Sequence, residues 1–95
     1  MSDTPPIRVI HKCSLELSPD HQKVMMPRHF DLVHCAMQHG RPTFWYVTEP
    51  DSDDYQQTFG IIGTGLPFPA NWAHMGTCLD GNYVWHILME TEGKP

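Results

Sequence analysis

The chain reads as an all-β protein, mainly strands with at most a short helical turn: a small antiparallel sandwich or partly open barrel of six or seven short strands. Three observations predict this. Between His29 and Met89 the apolar residues fall in short runs, alternating or uniformly apolar, with no long stretch at helical spacing. Gly, Pro and Asp separate those runs, most clearly at His39-Gly40-Arg41-Pro42 and Leu79-Asp80-Gly81-Asn82. The runs are also rich in β-branched and aromatic residues, above all Thr43-Phe44-Trp45-Tyr46-Val47-Thr48.

The first strand is expected over Ile7–Leu17. Ile7, Val9, Cys13, Leu15 and Leu17 share one side, and Arg8, Lys12, Ser14 and Glu16 take the other. Ser18-Pro19-Asp20 ends it. Gln22–Met26 is a shorter strand stopped by Pro27. Phe30–Gln38 sets Val33, Cys35 and Met37 against Leu32, His34 and Ala36. A hairpin centred on Gly40-Arg41 leads into the aromatic strand from Thr43. Thr58–Gly65 is a strand carrying glycines, a sign of bending or of another group approaching closely. Leu66-Pro67-Phe68-Pro69-Ala70-Asn71 is an ordered loop, and Ala73–Leu79 and Tyr83–Met89 pair through Asp80-Gly81. Ser18–Lys23 and Pro69–Ala73 are the only places left for a helical turn. The last strand is apolar on both sides, which puts it centrally between layers or against a second copy, so a homodimer is an expectation.

Ninety-five residues suit one domain, with Met1–Pro6 and Glu92–Pro95 frayed. A chain this short has room for a modest core and little for an enclosed substrate chamber. Net charge −5 argues against nucleic acid as a partner. Three cysteines, an odd number without close pairs, suit a reducing compartment in which Cys13, Cys35 and Cys78 act as small strand hydrophobes. No apolar stretch is long enough to span a bilayer, and the opening residues lack signal-peptide character, so no membrane association and a cytoplasmic location are expected.

The residue patterns that could carry chemistry are sparse. Seven histidines are the one compositional excess, but zinc spacings such as CxxC or HxxxH do not occur. His11 and Cys13, joined by His74 or His86 from another strand, are the nearest approach to a ligand set; the histidines read more simply as scattered surface residues, with no metal and no cofactor. Cys35 beside His34 cannot form a nucleophile–base pair, because neighbouring strand residues point to opposite sides. Cys78 and His74 share a side at i and i+4 but lie too far apart along a strand. Gly63-Thr64-Gly65 lacks the third glycine and following helix of a dinucleotide loop. Its backbone N–H groups, beside Arg41 or Trp72, would still hold an anion, which makes Arg41, Gly63, Thr64, Gly65 and Trp72 the candidate ligand site. Trp45 and Trp85, with Glu49, Asp51, Asp53 and Asp54 of the acidic segment after the aromatic strand, are the candidate protein-contact residues.

Ile10-His11-Lys12, Met37-Gln38-His39-Gly40-Arg41-Pro42, Phe44-Trp45, Glu49-Pro50, Phe59 to Pro67, Met75-Gly76-Thr77 and Trp85-His86-Ile87 together resemble a family of small uncharacterised β-rich proteins encoded largely by phages and prophages. The resemblance spans nearly the whole chain, departing at Cys13, where an aromatic is expected, and at Leu66, where a polar residue or His is expected. It implies a β fold and a phage context but no activity. The expected function is a non-catalytic accessory protein that inhibits a host or anti-phage defence protein by covering its surface. Two alternatives are an oligomeric sponge for a nucleotide-like signalling molecule and a minor virion or assembly protein.

Overall fold

The computed structural model describes residues 4–91. Its seven strands are β1 (Val9–Ser14), β2 (Gln22–Pro27), β3 (Asp31–Gln38), β4 (Arg41–Thr48), β5 (Asp54–Gly63), β6 (Trp72–Asp80) and β7 (Tyr83–Glu90). They form two antiparallel sheets, ordered β1-β4-β3 and β2-β5-β7-β6. The result is an open sandwich, not a closed barrel. The described residues contain no helix, and so none long and apolar enough to cross a membrane. The helical turn expected at Ser18–Lys23 or Pro69–Ala73 is replaced by a bend over residues 17–20 and by a turn in which the Trp72 N–H donates to the Pro69 carbonyl. Of the frayed ends expected at Met1–Pro6 and Glu92–Pro95, residues 1–3 and 92–95 lie outside the described residues, and residues 4–6 are exposed and belong to no strand.

Inward residues of both sheets meet in one core of Leu15, Met26, Phe44, Tyr46, Phe59, Ile61, Cys78 and Ile87. Phe44 is its centre: fully buried, with ring centroids of Tyr46 at 5.8 Å and Phe59 of the opposite sheet at 5.3 Å. Gln57 is the large polar side chain buried among them, and it is satisfied: it accepts from the Tyr55 hydroxyl and donates to the Glu90 carbonyl. Between β1 and β2 the Gln22 amide imitates a strand residue, accepting from Glu16 N–H and donating to Glu16 C=O.

Several expectations are corrected here. The first strand is shorter than Ile7–Leu17: its ladder with β4 runs from Val9, opposite Thr48 at the end of β4, to Ser14, opposite Thr43, after which one more backbone bond, from the Leu15 N–H to the Pro42 carbonyl, ends the pairing; Ile7 and Leu17 are exposed while Leu15 is buried. The hairpin centres fall one residue away from the expected dipeptides. Gln38 pairs with Arg41 around His39-Gly40, both with positive φ as in a type I′ turn, and Asp80 pairs with Tyr83 around Gly81-Asn82. β7 is internal to its own sheet, with Ile87 facing the core and Leu88 buried on the outer side, while Tyr83 at its start is exposed. Trp72 helps to cover that outer side, its indole lying over Gly60, where a Cβ would meet Cζ3 at 3.3 Å.

Two bulges change which side chains point inward. In β3, Val33 is the extra residue, so Leu32 pairs inward with Tyr46 while His34 turns out beside Trp45. In β6, Met75 is the extra residue: His74 faces outward opposite Leu88, and Gly76 faces inward opposite Ile87. Both bulges sit on edge strands, where they disfavour pairing with another chain.

Candidate functional site

The sheets part where β3 and β6 begin and β4 and β7 end, opening a cleft of about 880 Å³. That is within the size range of ligand pockets. Its apolar wall is Phe30, Leu32, Met75 and Met89, of which Phe30, Met75 and Met89 pack onto the core. Its rim is charged. Arg8 pairs with Asp31 at 2.6 Å, but both are more than half exposed, so the pair adds little stability. Arg28 lies over the Tyr55 ring, 4.6 Å from its centroid, and its backbone N–H donates to the Asp53 carbonyl. Through that bond the acidic segment is tied to the cleft, and Glu49 and Ser52 line it directly. Thr48 donates its hydroxyl to the His29 carbonyl, tying the end of β4 to the residues that lead into β3.

A second constellation lies on the outer side of the four-stranded sheet. His74 Nε2 is 3.0 Å from His86 Nδ1, and Thr77 Oγ1 is 3.2 Å from the same His86 nitrogen. Thr64 Oγ1 is 2.8 Å from His86 Nε2. Alternation would place His74 on the same side as Cys78; the Met75 bulge moves it beside Thr77 instead. Sequence reasoning missed this cluster. A glycine at position 76, inside a predicted strand, was the available signal of a bulge.

The five residues expected to form a ligand site are spread over the molecule. Arg41 is in the three-stranded sheet, where its guanidinium pairs with Glu16 at 2.7 Å and also reaches the carbonyls of Ser14 and Leu15. Gly63, Thr64 and Gly65 close β5 in the other sheet. Trp72 opens β6 level with Glu90, while Gly63 is level with Trp85, five residues or roughly 17 Å along β7. Of the five, only Thr64 joins a cluster of polar side chains. The His21 ring lies beside Trp72, with centroids 4.6 Å apart and planes tilted by 49°.

The expected contact residues divide similarly. Glu49, Asp51, Asp53 and Asp54 are exposed at the cleft end. Trp45 lies on the outer side of the three-stranded sheet against His34. Trp85 packs inward on the core and donates its indole N–H to Asp80 at 3.2 Å. The metal set weighed from sequence does not converge: His11 stands opposite Tyr46 in one sheet, and His74 and His86 lie outside the other. Among the described residues no group of three or more His, Cys, Asp or Glu gathers as a metal site.

The cysteines are free and poorly suited to nucleophilic work. Burial pushes all three thiols up; Cys35, with Cys78 as a second raising neighbour, stands at about 11. The thiolate is the reactive form, so these groups are mostly protonated at neutral pH. Because an unfolded thiol titrates near 8.5, the unfolded chain loses its Cys35 proton first. Stability is therefore expected to be level up to about pH 8.5 and to fall as pH rises towards 11. Urea midpoints at pH 8 and pH 10.5 check this; Cys35→Ala should shrink the difference, and an equal loss in that variant would show the thiol is not responsible.

The chain belongs to the family described as a domain of unknown function, DUF7352, which matches residues 6–95. No curated protein and no solved structure matches it.

Proposed function

We propose that this member of the DUF7352 family acts by non-catalytic binding, covering a surface of a partner protein with the cleft end of its sandwich. One observation carries the reading: an apolar patch of Phe30, Leu32, Met75 and Met89 is ringed by charged groups, Arg8, Arg28, Asp31 and Glu49, with Asp51, Asp53 and Asp54 close by. An apolar centre inside a polar rim is the anatomy of a protein interface. The resemblance to phage-encoded proteins makes a host or anti-phage defence protein the partner class, met in the host cytoplasm and inhibited by occlusion.

The test is affinity capture from host lysate with the wild-type chain and with Leu32→Asp and Met75→Asp. Leu32 is 40% exposed, so a charge there leaves the core intact while spoiling the patch. A partner retained in stoichiometric amount by the wild type and lost from Leu32→Asp is the expected result. Failure of the wild type to retain any stoichiometric protein, or equal retention by both variants, overturns the assignment.

A further inference from the structure

We propose that His74, His86 and Thr77 form one side of a binding site for a single borderline divalent transition-metal ion, of the Zn²⁺ or Cu²⁺ class. His74 Nε2, His86 Nδ1 and Thr77 Oγ1 stand at the corners of a triangle with sides of 3.0, 3.2 and 3.5 Å. Two imidazole nitrogens that share one ion at about 2.0–2.1 Å lie roughly 2.9–3.4 Å apart, for bond angles between square and tetrahedral. A point about 2 Å from all three atoms therefore exists just off their plane.

The surroundings support the same assignment. A ligating histidine is commonly fixed by a hydrogen bond from its other ring nitrogen. Thr64 supplies that partner: with the ring hydrogen on His86 Nε2 donating to Thr64 Oγ1, the Nδ1 lone pair is left facing the triangle. With the His74 ring hydrogen on Nδ1, its Nε2 lone pair also faces the triangle and supplies the second ligand. The strands hold the two imidazoles firmly. His86 is in central β7, paired with Ile62 and Thr77 on either side, and the Met75 bulge aims His74 at it. Three neutral donors leave the ion's charge and its outer positions free for water or for an anionic group of another molecule. The net charge of −5 favours capture of a cation.

The test titrates ZnCl₂ into the full-length protein by calorimetry, with imidazole ¹H–¹⁵N spectra recorded at each step. One ion per chain is expected, with selective shifts of His74 and His86. His74→Ala or His86→Ala should weaken binding by more than about 10-fold, and Thr64→Val by about 10-fold through loss of the orienting bond. His11→Ala should leave it unchanged. His74 and the two threonines face solvent, so these variants are expected to keep the wild-type circular dichroism; for any that does not, the wild-type imidazole spectra decide. No saturable uptake up to millimolar zinc overturns the proposal, as does uptake that persists in the His74→Ala/His86→Ala double variant with shifts on other histidines.

Discussion

Phe44→Ala is expected to cost about 3–5 kcal/mol, close to the whole stability of many domains of this size. The ring is fully buried and bridges the two sheets: Phe30 and Tyr46 contact it from its own side, Phe59 from the other. Cys13 and Cys35, which stand opposite it on β1 and β3, are too small to move into the space it would leave. The cavity would therefore persist, and the residual cavity is what makes such substitutions expensive. Phe44→Leu keeps most of the volume and is expected to lose less than half as much. Urea unfolding followed by tryptophan fluorescence measures both. A loss below about 1 kcal/mol for the alanine variant would mean that the sheets are not joined through this ring.

How much of this was legible beforehand depends on how far alternation can be trusted. The strands appear in the expected order because turn chemistry and β-rich composition act locally. The ends of strands do not. Ile7 and Leu17 fit the apolar pattern of β1, yet the ladder with β4 runs only from Val9 to Ser14, a tertiary limit invisible in the residues themselves. Asp54 reads as part of an acidic loop but begins β5, because Pro27 of β2 lies opposite it. Parity fails at the bulges. A single extra residue at Val33 moves Leu32 inward towards Tyr46, and one at Met75 carries His74 out of the company of Cys78.

The candidate sites inherit that difficulty. Arg41, Gly63-Thr64-Gly65 and Trp72 were grouped by chemistry alone, and the sheet order separates them: β4 belongs to one sheet, β5 and β6 to opposite parts of the other. The His74–His86–Thr77 triangle needs three facts at once: the β6–β7 register, the bulge, and the outward side of β7. The cleft is a product of two sheets diverging, so no local pattern announces it. The acidic segment at its rim was legible because a charge run declares exposure by composition.

Gly76→Ala follows from the same bulge. The residue is turned inward against β3, and a Cβ built there would lie 2.9 Å from Cys35 Cβ and closer still to its sulfur. Real side chains do not meet at that distance, and the neighbour is a short side chain anchored in a paired strand, so the sheets must shift apart. The expected loss is about 1–3 kcal/mol, and a Val at the same position should cost more. Pairing the substitution with Cys35→Gly removes the atoms in the way. The double variant should then lose less than the two single losses added together, with a coupling of about 1 kcal/mol or more in that direction. Denaturant midpoints of the four proteins close the cycle. Strict additivity would place Cys35 away from Gly76 and with it undo the packing of β3 on β6.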